Sequence, residues 1–185
     1  MRLSKFGYYS DYLVYPVVIG ALVTAGFETG SRSQLEEWPL TAFLGLLLWS
    51  LMEYVLHRIV LHGKNFFSPM HGVNHAEPLA LVGTPTWMSV GILMLAIFAP
   101  ACWLIGLPLA TGLTAGVMLG YVWYGLVHHV IHHWRPKPEQ TYFKALRARH
   151  LRHHYSPNAG NFGVTTALWD HVFGTVIRLA HAKAA

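Results

Sequence analysis

Residues 107–133 read LPLATGLTAGVMLGYVWYGLVHHVIHH. The run from Leu107 to Val127 holds no Asp, Glu, Lys or Arg. About 20 such residues suffice to cross a ~30 Å hydrocarbon core as a helix. The run continues into His128, His129, His132 and His133, so a membrane helix delivers four imidazoles at its end. Gly112, Gly116 and Gly120 recur every four residues, a spacing that lets another helix approach closely. A neighbour within the chain is the expected partner, in preference to a second copy. Trp123 and Tyr124, one turn before His128, are candidates to line an acyl channel or to join an interfacial aromatic belt.

Three more spans lie upstream. Ile105-Gly106-Leu107-Pro108 is a tight turn, and residues 87–104 before it complete a helical hairpin. Residues 39–57 form another span, running into His57. Residues 13–27 form the first, with Pro16 read in its opening turn, where proline suits a helix. The chain of 185 residues is 54% hydrophobic and 11% charged, against about 25% charged residues in a soluble domain. The fold class expected is all-α integral membrane: one domain over residues 1–185, four transmembrane helices, and a helical cap from residues 57–86 and 128–176.

Charge orients this layout. With both termini on one side, the outer connections are a first loop over residues 28–38 and the 105–108 turn. They contain one basic residue, Arg32, beside Glu28, Glu36 and Glu37, while the other twelve Lys and Arg share the side of the termini. By the positive-inside rule that side, and the cap with it, faces the cytoplasm. A bacterial inner membrane is expected rather than the endoplasmic reticulum. The net charge of +5 reflects this bias and contact with an anionic leaflet, and no nucleic-acid partner is implied. Cys102 is the sole cysteine, which excludes an intrachain disulfide and a thiolate metal site. The N-terminus lacks a small-residue cleavage site and is not read as a signal peptide.

Eleven of the thirteen histidines fall into four clusters: His57 with His62, His71 with His75, the quartet at 128–133, and His150 with His153 and His154. All four clusters map to the cytoplasmic side. Residues at i, i+3 and i+4 share a helix face, which pairs His71 with His75, His128 with His132, His129 with His133, and groups His150, His153 and His154. His57 and His62 are five apart. They serve two different metals, or the helix loosens before Gly63. Nine or ten neutral imidazoles exceed what one ion uses, so two metal ions are expected; imidazole suits Fe, Zn, Cu and Ni. His129 and His133 point about 100° from His128 and His132 and are candidates for ligands or for a supporting role. Glu53 and Asp170 are expected to orient ligating rings by accepting their second N–H. His171 and His181 are expected to have no metal role.

With these clusters in place, the chain resembles the fatty acid hydroxylase/sterol desaturase superfamily of membrane di-iron enzymes. The matching residues are Glu53-Tyr54-Val55-Leu56-His57-Arg58 with His62, then His71 to His75, His128 with His132 and His133, and His150-Leu151-Arg152-His153-His154-Tyr155. They continue through residues 161–166 and 169–175. The C-terminal stretch is most similar to the fatty acid 2-hydroxylase branch. The resemblance implies two iron ions, O2 as co-substrate and hydroxylation of an unactivated C–H bond of a lipid acyl chain. It implies His57, His62, His71, His75, His128, His132, His150, His153 and His154 as ligands. The superfamily's second motif reads His-x-x-His-His, and Asn74 stands here at its fourth position. An amide oxygen is a poorer iron ligand than imidazole, so Asn74 is a candidate for a ligand or a supporting role; the alternatives are a ligand lost, replaced by water, or supplied by His129 or His133.

A chain of this length has no room for a fused electron-transfer domain, so a separate donor is expected: a cytochrome b5-like protein, a ferredoxin or a reductase. The basic run Arg135 to Arg149 is a candidate docking face. Residues 64–70, with Phe66 and Phe67 as candidate substrate-lining side chains, and residues 78–87 are expected to lie on the membrane as interfacial lids. The alternatives are a lipid or sterol desaturase or carotenoid hydroxylase of the same superfamily, a non-catalytic metal-binding membrane protein, and a metal transporter. Transport sites sit near the bilayer midplane, whereas these histidines sit at span ends. The ligand set alone also accepts zinc, and eleven histidines exceed the two a b-type haem needs.

Overall fold

The structure is a computed structural model that describes residues 1–177; His181 lies outside them. Four helical stretches are long and apolar enough to cross a membrane: Lys5–Thr29, Arg32–Leu61, Thr86–Ile105 and Leu107–His133. The first comprises α1 (Lys5–Tyr9) and α2 (Asp11–Thr29). The second comprises α3 (Arg32–Val55) and a π-helical turn, Leu56–Leu61. The short helix α4 (Ser68–Ala76) follows. The third stretch comprises α5 (Thr86–Leu93), a second π-helical turn, Met94–Phe98, and α6 (Ala99–Ile105). The fourth is α7 (Leu107–His133), after which come α8 (Thr141–Tyr155) and α9 (Leu168–Val172).

The helices extend beyond their apolar centres, which corrects two sequence expectations. Residues 28–38 do not form a loop. Ser31 caps α3 with its side chain and exchanges a reciprocal bond with Gln34, a capping box that starts the helix at Arg32 despite its polar first turns. Pro39 and Pro16 consequently lie inside α3 and α2, not at their starts. The wide turns of the third stretch run up to Pro100, whose ring has no N–H to give the preceding turn.

The glycine row of α7 packs against α3 within the chain. A methyl at Gly116 would run into the Ala42 carbonyl, and one at Gly45 into the Leu113 carbonyl; Gly120 lies against Trp49. Backbones this close leave room only for glycine. Tyr15, Leu22, Trp49, Leu93, Ala115, Val117 and Met118 fill the bundle's centre. Leu13, Val17, Leu40, Phe43, Leu95 and Trp103 are exposed around it, as a lipid-facing surface requires. Asp11 accepts hydrogen bonds from Thr86 Oγ1 and Tyr121 Oη (2.8 Å for the latter), so this acid in the first span is paired.

The Gly30–Ser31 and Gly106 turns are at the end of the bundle opposite the histidines, tied there by Trp38 Nε1 donating to Thr111 Oγ1 at 3.1 Å. At the histidine end, α8 packs on α7 through Leu146, Val127, Ile131 and Val164. Segment 77–83 is strapped to the N-terminus by Leu3 N–H to Leu81 O and Gly83 N–H to Met1 O.

Candidate metal centre

The ends of α3 and α7, together with α4 and α8, bring nine histidines into two groups. His57, His62, His71, His75 and His153 form the first, and His128, His132, His150 and His154 the second. Within each group the candidate donor atoms lie within 4.8 Å of one another. The π turn explains the spacing of His57 and His62. It has the i→i+5 bond from His62 N–H to His57 O, and this wider winding turns residues five apart toward one side. Their ring centroids are 5.2 Å apart, and both belong to one group, so the helix loosens. Helix α8 divides its three histidines. His150 and His154, four apart, face the second group, and His153, about 100° round the helix from His154, faces the first. The three do not act as one face.

The two groups adjoin. The His75 and His154 rings stack across the boundary at 4.1 Å.

The rings meet through Nε2. In the first group the Nε2···Nε2 separations are 3.1 Å for His57–His71, 2.9 Å for His71–His62, 3.0 Å for His62–His153 and 3.0 Å for His75–His71. In the second they are 3.2 Å for His132–His128, 3.0 Å for His132–His150 and 3.0 Å for His154–His150. His57 and His153 donate Nδ1–H to the carbonyl oxygens of Phe162 and Gly160, the latter at 2.8 Å. In a neutral imidazole that leaves Nε2 as a lone pair. Where two such lone pairs face each other they repel unless a proton or a cation sits between them. Nitrogens about 2.1 Å from one ion are about 3.0 Å apart at right angles and about 3.4 Å apart at the tetrahedral angle. The closest separations in each group are of the size shown by nitrogens that share one ion, and the residues present fit a metal.

Burial keeps the rings on α4 and α8 neutral. It lowers His71 and His154 to about 2, with His75 the next cause in each case. It lowers His153 to about 4 against the opposing effect of the Gly160 carbonyl. His150 is held well below the ordinary value by burial and then by His128. Neutral imidazole is the form that ligates a metal.

Among the described residues, neither Glu53 nor Asp170 is hydrogen-bonded to a histidine, which corrects the sequence expectation. Glu53 Oε1 accepts from the N–H groups of Val164 and Thr165, at 2.6 and 2.8 Å, and Oε2 from the Thr165 hydroxyl. Asp170 accepts from the N–H groups of Phe162 and Gly163, at 2.8 and 2.9 Å, and from Thr175 Oγ1. Two buried carboxylates thus pin the loop between α8 and α9. Arg149 pins it from the other side by donating to the Gly163 and Val164 carbonyls. Asn161 makes the bend at φ 54°, a left-handed conformation that asparagine tolerates. The loop in turn presents Phe162 O and Gly160 O to the two rings. The carboxylates act on the histidines through backbone, because the acceptor each ring needs is already supplied by a carbonyl.

Other expected site residues fall outside the groups. His129 and His133 stack on each other at 4.3 Å, and His129 Nδ1 meets Tyr8 Oη at 3.1 Å. Tyr124 stacks on His128 at 5.7 Å, whereas Trp123 is exposed on the outer surface. Phe66 is exposed and Phe67 half-buried beside it; neither ring contacts a clustered histidine. His171 is exposed. Of the basic run, Arg147 is turned inward onto the Ile131 carbonyl and Arg149 onto the loop, leaving Arg135, Lys137 and Lys144 facing outward. Tyr8 and the carbonyls of Phe162 and Gly160 escaped sequence reasoning, since a backbone acceptor has no residue type to betray it.

A four-span helical bundle with nine convergent imidazoles at one end defines a membrane protein with two histidine-rich groups that fit metal ions. Comparison with known proteins sharpens this. The sequence profile described as "Fatty acid hydroxylase" matches residues 42–175, and the chain belongs to that family. It is 37% identical over 142 residues to dihydroceramide fatty acyl 2-hydroxylase FAH2 of Arabidopsis thaliana, covering 71% of this chain and 58% of that protein. It is 30% identical over 180 residues to ceramide very long chain fatty acid hydroxylase scs7 of Schizosaccharomyces pombe, covering 90% and 51%. The chain therefore spans little more than half the length of these curated relatives. A solved structure titled "Full length scs7p (only hydroxylase domain visible)" superimposes with a TM-score of 0.78 at 26% identity, covering 93% of this chain and 67% of that one.

Proposed function

We propose that this protein hydroxylates an unactivated C–H bond of a lipid acyl chain, using O2 and electrons from a separate donor, at a centre of two iron ions. The observation that carries the reading is the pair of imidazole groups, with Nε2 atoms 2.9–3.2 Å apart, in a chain of the fatty acid hydroxylase family. His57, His62, His71, His75 and His153 would hold one ion, and His128, His132, His150 and His154 the other. When bound, the ions would supply the redox capacity that O2 activation needs, which no side chain in the groups provides.

The chain's own residues position and protect. Phe162 O and Gly160 O fix two tautomers, and the loop held by Glu53, Asp170 and Arg149 keeps these carbonyls in place. The bundle delivers the acyl chain from the bilayer to the end where the histidines lie, and holding one carbon in reach is the protein's main contribution to rate. The overall reaction consumes one O2, two electrons and two protons, and yields the hydroxylated lipid and water. The basic bias of the histidine end supports a cytoplasmic orientation, and the outward Arg135, Lys137 and Lys144 suit an acidic electron donor.

The test is expression in a host membrane, with iron and zinc quantified on the purified chain and extracted lipids compared by mass spectrometry. Two irons per chain and a lipid that gains one oxygen atom are expected. A lipid that instead loses two hydrogens would make the enzyme a desaturase. A purified chain without stoichiometric metal would overturn the reading.

A further inference from the structure

The two histidine groups are unequal, five rings against four. The geometry points to the side-chain oxygen of Asn74 as the missing donor: an oxygen ligand to the ion held by His128, His132, His150 and His154. This inference rests on the two-metal reading above. Asn74 lies on α4 between His71 and His75, whose rings both turn to the five-histidine group. As His75's immediate neighbour it points about 100° away from that ring. It lines a small cavity of about 10 Å³ together with His128 and His132 of the four-histidine group and with Tyr8, His129 and His133 beside it. That is space for about one small atom or ion.

The amide is 5% exposed, and its Oδ1 is buried with no hydrogen-bond partner. Buried amide oxygens are ordinarily satisfied. No donor among the described residues satisfies this one, and a cation in the shared cavity would. An amide oxygen is a weaker ligand for a transition ion than imidazole, so the four-histidine site is the more labile of the two. The surrounding bonds act in the same direction. Nδ1 of His150 and Nδ1 of His154 are buried without acceptors, whereas His57 and His153 of the other group have carbonyls.

The test measures metal content and the rate of metal release to a chelator for the full chain in detergent. Wild type, Asn74→Ala, Asn74→His and His71→Ala are compared. Wild type is expected to release two ions in a fast and a slow phase. Asn74→Ala should accelerate the fast phase about ten-fold or more and leave the slow one unchanged. Asn74→His should retard the fast phase, and His71→Ala should accelerate the slow one. Unchanged release from Asn74→Ala, or equal acceleration of both phases, overturns the inference while leaving two metals intact. If Asn74→Ala does not fold, Asn74→His decides, and a fast phase no slower than wild type overturns the inference. Wild type without metal defeats the two-metal reading itself, a separate outcome.

Discussion

The five-histidine and four-histidine groups sit side by side and share helix α8, yet they are held differently. In the first, two rings are fixed from behind by backbone carbonyls of one loop, and that loop is fastened by two buried carboxylates and an arginine. In the second, two rings have no acceptor behind them, and orientation comes from the helices alone. The difference separates two ways of building a ligand set. One uses a dedicated scaffold loop, and the other uses spacing on rigid helices. Partners behind a ligating ring are typically worth 10–100-fold in metal affinity, so the two sites should differ in hold.

The largest effect comes from the adjacent pair on α8. His153→Ala with His154→Ala removes one ring from each group, so both ions should be held more weakly and oxidised lipid should disappear, as metal analysis and lipid mass spectrometry would show. Weakening of one ion alone would mean that the rings do not divide between the groups as the structure places them.

Asp170→Asn strikes the loop alone. It replaces a carboxylate that accepts from two backbone N–H groups and a hydroxyl. Charged hydrogen bonds of this kind are each worth about 1.5–3 kcal/mol. The ion of the five-histidine group should come away about ten-fold faster or more, while the four-histidine group changes little. Equal change at both would erase the distinction.

Acid acts on both groups together. His71, His153 and His154 lie below the ordinary imidazole value in the folded chain. Between that value and about 4, where His153 titrates, the unfolded chain therefore binds more protons than the folded one. Stability rises with pH wherever the unfolded state binds more protons. The metal-free protein should thus lose thermal stability as pH falls from about 6.5 to about 4. A midpoint that is flat across this window would show that the rings are not buried neutral.

Gly116→Ala tests the frame common to both groups. Overpacking costs about 1–3 kcal/mol, and the melting midpoint should drop with no preference between the sites. Tyr8→Phe is the smallest change. It removes only the contact with His129, which stands outside both groups, and metal content should stay within about ten percent of wild type, well inside the 10-fold scale of a true supporting partner.

These contrasts also mark what the sequence reveals. The four spans are legible because long uncharged runs have few other uses, and the histidine pairs at i,i+4 because helical spacing is rigid. The division of the rings is not. His153 and His154 are neighbours in sequence and go to different groups, and His57 and His62 meet only because the helix widens into a π turn. Glu53 and Asp170 advertise themselves as partners for histidine, but they bind backbone N–H groups that any residue carries. The α3 boundary was hidden by its polar first turns, although Ser31 and Gln34 spell a capping box.

Hydroxylation by O2 at the histidine groups is tested by supplying heavy-isotope O2 to membranes that contain the protein and following the label into extracted lipid. One labelled oxygen is expected in the acyl chain, appearing only with the intact histidine groups and in step with the metal content of the purified chain. Lipid that gains unlabelled oxygen, or label that appears equally with His153→Ala/His154→Ala, would contradict it.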